Sequence, residues 1–117
     1  MGEVRGIGGY FLRATDPAGL TAWYRDHLGI TTVGDEPWQQ EAGPTVLAFV
    51  DRDADVFGGP DQQAMLNLRV SGLDTLLARL RDAGAAVDPE VQQMDGVGRF
   101  GWVTDPEGNR IELWEPA

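Results

Sequence analysis

Apolar and polar positions along the chain alternate between two periods. Residues 6–14 carry Ile7 and then Tyr10, Phe11 and Leu12, an apolar and aromatic run that predicts a strand. Thr15-Asp16-Pro17 follows as a helix-start signal. Asp16 can accept from the free N–H groups of a first turn, and proline suits the first helical position. Leu20, Trp23, Tyr24 and Leu28 then recur at helical spacing, and Gly29 is placed to stop the helix. Residues 30–33 predict a short strand, 37–44 a loop or irregular edge with Trp38, 45–50 an apolar β-rich run, and 51–63 a polar loop.

The order then repeats. Residues 65–70 predict a strand. Residues 72–83 predict a helix with Leu73, Leu76, Leu77 and Leu80 on one face and Gly84 as its stop. Strands are expected from Ala86-Val87, over 98–104 and over 110–114, with Asp105-Pro-Glu-Gly108 suited to a type I turn. Laying residues 12–26 over 68–82 pairs Leu12 with Leu68, Arg13 with Arg69, Leu20 with Leu76, Ala22 with Ala78, Arg25 with Arg81 and Asp26 with Asp82. Helical periodicity alone could align leucines, but not the Leu-Arg and Arg-Asp pairs. The expectation is one domain over 1–117 made of two repeat halves, about 6–60 and 64–116. Each half is a βαβββ module, and the fold class is α+β: two paired modules forming a curved sheet around a central cleft, where a small molecule would bind.

Composition narrows the chemistry. The chain has 117 residues, long enough to bury a core without disulfides or metal. It has no cysteine, which removes thiolate metal sites and cysteine nucleophiles and suits a cytoplasmic setting. All nine basic residues are arginine, so a lysine Schiff base is excluded. The net charge of −10 opposes nucleic acid and anionic membrane as partners. No run approaches the ~20 apolar residues of a membrane span, and the first residues do not read as a signal peptide. His27, the one histidine, sits near a helix C-terminus, where it suits the dipole. Asp51, Asp53 and Asp55 begin like a calcium loop, but Val56 stands where glycine is needed and Gln62 where glutamate is.

Three phrases carry a family resemblance: Tyr10-Phe-Leu-Arg-Ala-Thr-Asp-Pro, Trp23-Tyr-Arg-Asp-His-Leu-Gly and Asp105-Pro-Glu-Gly-Asn-Arg-Ile-Glu-Leu-Trp-Glu-Pro. Together they resemble the glyoxalase/bleomycin resistance/dioxygenase group, the vicinal oxygen chelate superfamily. The resemblance implies the paired-module fold and homodimers. It does not fix an activity, since that fold serves isomerases, dioxygenases, lyases and drug-binding proteins. It also implies four metal-ligand positions. In this chain they fall at Gly9, near Ala48, at Met65 and at Glu112. Glycine and alanine have no side-chain donor, and a thioether suits soft metals only. The expectation is therefore no cofactor, with a divalent metal only if non-standard ligands such as Gln63 supply it.

Glu112 alternates with Arg110 and Trp114 on one strand face, which by the resemblance lines the cleft. It is the candidate for holding a cationic or hydroxyl group, or for acting as a catalytic base; pairing with a nearby arginine is the plainer alternative. Arg13 and Arg69 hold equivalent places in the repeats, with Met65 and Asn67 on the same parity. They are candidates for an anionic ligand, or for structural ion pairs. Trp102 and Trp114 could wall the cleft or simply pack in the core. Three functions stay open: a metal-independent small-molecule binder; an enzyme such as a lyase, isomerase or dioxygenase using Glu112; and a non-catalytic dimeric interaction domain.

Overall fold

The structure is a computed structural model and describes residues 2–31 and 37–117. Helix α1 spans Pro17–Leu28, strand β1 Asn67–Arg69, helix α2 Leu73–Asp82, strand β2 Ala86–Val87, β3 Gln92–Met94, β4 Gly98–Thr104 and β5 Arg110–Pro116. The fold class is α+β, as expected: two helices and a five-stranded sheet. The sheet order is β1-β5-β4-β2, with β3 also pairing with β4. β1 runs parallel to β5, while β2, β3 and β5 pair antiparallel with β4.

Both helices begin and end where the sequence signals lie. Asp16 Oδ1 accepts from Gly19 N at 3.0 Å, Pro17 opens α1, and Gly29 takes φ 69° to close it, donating to Arg25 O. The helices start at Pro17 and Leu73, and 73 − 17 = 56 is the offset that aligns the two halves of the sequence. The core lies under α2. Leu73, Leu77 and Leu80 pack on Val103, Ile111 and Leu113 from the adjacent face of β4 and β5. Trp23, Tyr24 and Leu28 bring α1 against the same cluster.

The first half departs from expectation. Residues 6–14 and 45–50 join no ladder, so the strands expected there are not formed. Phe11 is 94% exposed and Phe49 90% exposed. Gly6, Gly8 and Gly9 leave the first segment with few side chains to set a register, and Gly43-Pro44 precedes the second with a flexible residue and a missing donor. The strand expected over 30–33 falls partly on residues 32 and 33, outside the described residues. In the second half β3 is additional to the expected elements. Its Gln-Gln-Met sequence has no apolar alternation, and all three residues are exposed.

Two contacts dock α1 onto the β4–β5 turn. Tyr24 Oη donates to Asp105 Oδ2 at 2.7 Å, and the Glu107 carboxylate accepts from the backbone N–H of Thr15 and Asp16. Asp105 is buried and also accepts from Glu107 N, Asn109 N and Asn109 Nδ2. The Asp-Pro-Glu-Gly-Asn phrase is thus both a turn and the anchor of the first helix.

Candidate functional site

The sheet face opposite α2 is organised in rows, because residues paired across neighbouring strands stand side by side. One row is Asn67 on β1, Glu112 on β5 and Trp102 on β4. The next is Arg69, Trp114 and Phe100. In the first row Asn67 Nδ2 donates to Glu112 Oε1 at 2.6 Å, and Trp102 Nε1 donates to Glu112 Oε2 at 3.1 Å. Each carboxylate oxygen is therefore held by one neutral donor. In the second row Phe100 and Trp114 lie nearly parallel, with ring centroids 6.3 Å apart.

A cleft of about 2670 Å³ opens between this face and the segments of the first half. Gly9, Ala48, Met65 and Glu112, the four positions at which the resemblance leads one to expect metal ligands, all line it. Asn67, Arg69 and Trp114 line it as well. Arg13 does not, and its side chain is exposed to solvent elsewhere. Trp102 is 7% exposed and lies outside the lining, reaching the site only through its bond to Glu112.

Two arginines beside the cleft are committed. Arg69 Nη2 donates to Glu41 O at 2.9 Å and Nη1 to Pro44 O at 3.3 Å, so the guanidinium holds the 41–44 backbone over β1. A Cβ on Gly43 would overlap Arg69 Nη1, which explains why this loop approaches so closely. Arg110 lies over the Trp102 ring at 5.0 Å and pairs with Asp88 at 3.0 Å. A backbone bond from Glu90 N and the Arg110 guanidinium hold the Asp88 carboxyl below its usual range. Among the described residues no basic group stands within ion-pair distance of Glu112.

The residues at the four expected metal positions do not supply a ligand set for a hard divalent cation. Gly9 and Ala48 offer no donor, Met65 only a thioether, and Glu112 already binds two N–H groups. Gln63 lines the cleft, but it adds only one amide. Its neighbour Gln62 is the residue with a structural task, which the sequence did not signal: its side-chain amide accepts from Arg110 N and donates to Arg110 O, extending the sheet ladder beside β5. Among the described residues no group of three or more His, Cys, Asp or Glu could hold a metal.

Residues 10–114 match the glyoxalase-like domain family. The chain is similar in structure to an antibiotic-binding protein from Streptomyces sp. CB03234, with TM-score 0.69, 24% identity and 100% of both chains covered. It is also similar to lactoylglutathione lyase from Agrobacterium tumefaciens, with TM-score 0.63 and 20% identity over 96% of this chain and 94% of that one. A member of the glyoxalase/bleomycin resistance protein/dioxygenase superfamily from Sphaerobacter thermophilus gives TM-score 0.54 and 16% identity over 87% and 90%. No curated protein sequence matches significantly. The chain belongs to the glyoxalase-like domain family.

Proposed function

We propose that this chain is a metal-independent small-molecule-binding protein whose ligand occupies the cleft over β1 and β5. The observation that carries the reading is the state of Glu112: the one carboxylate at a family ligand position is held by Asn67 and Trp102, through N–H donors, inside an open cleft. The cleft is also lined by Tyr10, Trp38, Phe57 and Trp114, which suits an organic ligand with flat apolar surface. The similarity to an antibiotic-binding protein supports the same direction.

The working form in this proposal is a cytoplasmic homodimer. Pockets for small ligands measure roughly 300–1,000 Å³, and the 2670 Å³ cleft of one copy is far more open. Phe11, Val46, Leu47 and Phe49 are exposed around it, and a second copy would cover them.

The test is a thermal-unfolding screen of chelator-treated protein against polycyclic aromatic natural products. A ligand at ~100-fold its Kd raises the midpoint by on the order of 10 °C, and the gain persists with chelator present. A gain that appears only with a stoichiometric divalent metal overturns the proposal. Light scattering of the same sample reads the dimer directly.

A further inference from the structure

The chemistry of the Asn67–Glu112–Trp102 row deepens this reading, on which it rests, by fixing the class of ligand. A carboxylate only accepts hydrogen bonds, so Asn67 must turn its NH₂ toward Glu112 Oε1. Its carbonyl Oδ1, on the same carbon, then points away from that bond. Trp102 Nε1 is a donor with no acceptor capacity, and it is fixed on Oε2. What the row has left to offer a ligand is therefore chiefly acceptor capacity, the remaining lone pairs of Glu112 and Asn67 Oδ1, beside the second N–H of the Asn67 amide. Among the described residues no donor reaches Asn67 Oδ1.

The two arginines flanking the row are engaged, and Arg52, which also lines the cleft, is not within ion-pair distance of Glu112. Arg69 is bonded to the carbonyls of Glu41 and Pro44, and Arg110 to Asp88 and the Trp102 ring. Among the described residues Glu112 has no ionic partner. An anionic ligand would meet an unpaired carboxylate at short range, which is costly in a cleft with aromatic walls. Along β5 the aromatic row lies two residues further on, roughly 7 Å from Glu112 at the usual rise of a strand.

We propose that the site selects an aryl cation with two adjacent N–H donors, an amidinium or guanidinium class of ligand, bound with its donors on Glu112 and Asn67 and its ring system along Trp114. Both acceptors then receive a donor, a cation is set beside Glu112, and the ring lies against the small exposed edge that Trp114 presents to the cleft.

The probe pair is biphenyl-4-carboxamidine and biphenyl-4-carboxylate, which share one aromatic frame and differ in charge and donor pattern. Each is titrated into ¹⁵N-labelled protein, following the Trp102 Nε1–H and Asn67 Nδ2–H₂ signals. The amidinium is expected to move both signals saturably and to bind at least tenfold tighter than the carboxylate. Glu112→Gln is expected to weaken the amidinium at least tenfold, and the exposed Asn67→Ala to weaken it severalfold with the fold intact. Equal or tighter binding of the carboxylate in the cleft overturns this inference while leaving small-molecule binding standing. Amidinium binding that leaves both signals unmoved overturns it in the same way. If neither these probes nor the neutral polycycles of the unfolding screen bind, both readings fail together.

Discussion

Tyr24 Oη donates to the buried carboxylate of Asp105, 81 residues away in sequence, and this bond ties the first helix to the β4–β5 turn. Burial first, then the hydrogen bond and the charge of Asp105, push the Tyr24 phenol above its usual range, so it stays a donor across the physiological pH span. Tyr24→Phe is expected to cost about 1 kcal/mol, since Asp105 keeps its other donors. Asp105→Ala leaves Tyr24 Oη, two backbone N–H groups and the Asn109 amide to find new partners, and is expected to cost about 3 kcal/mol or more. Urea unfolding of both variants checks the ordering; equal losses would contradict it.

The α2–sheet core makes a second prediction. Leu113 is fully buried at the centre of β5, between α2 and the rest of the core cluster. Leu113→Ala is expected to cost about 2–5 kcal/mol from lost burial and the cavity left behind. Gly101→Ala should also destabilise, by about 1–3 kcal/mol, because the new methyl would sit 3.0 Å from Leu77 Cδ1 in a packed interior. Chemical denaturation measures both.

The loop over β1 depends on Gly43. Gly43→Ala is expected to push the Arg69 guanidinium off the Glu41 and Pro44 carbonyls, and Arg69→Ala to release the same loop from the other side. Hydrogen exchange over residues 39–45 should rise in both variants, with little change in α2. Unchanged exchange in both would show that the guanidinium does not hold the loop.

Acid should weaken the edge of the site, and neutral pH should leave it intact. Asp88 is held below its usual range by Glu90 N and Arg110, so it binds its proton more weakly folded than unfolded. The stabilisation is fully present above the unfolded value of ~3.9 and is lost as pH falls through the lower folded value. Asp74, lowered by its bond to Arg99, contributes with the same sign. Melting temperature recorded from about pH 6 downward should fall near and below ~4, and Asp88→Asn should flatten part of that fall.

The second half of the fold was readable because each element there carries several concordant signals. Residues 98–104 and the Asp105 turn gave strand and turn from local chemistry, and both helices had caps or stops in sequence. The first half was not readable in the same way. Its segments are apolar enough for strands, but Gly6, Gly8 and Gly9 set no register, and pairing depends on a neighbour that composition does not reveal. For the site, parity grouped Glu112 with Trp114 on β5 and Met65 with Asn67 and Arg69 around β1, and all five line the cleft in the structure; that these faces would line a cleft came from the resemblance. It could not show that Trp102 is buried and covered by Arg110, nor that Arg13 lies outside the lining. Asn67 and Trp102 meet Glu112 because of strand register, and register is a tertiary property.

Helix α2 opens on Gly72, which has no side chain to cap it, and Leu73 N is satisfied instead by Glu115 Oε2 on β5, at 2.9 Å. The start of this helix therefore exists only when a strand from 42 residues further along has arrived. A peptide of residues 71–84 should fray at its first turn in isolation. In the whole chain, the helix and the sheet cannot be completed one before the other, so α2 and β5 should gain and lose their protection in a single cooperative step. The strand that presents Glu112 to the cleft is thereby locked to the core that its Ile111 and Leu113 help to form.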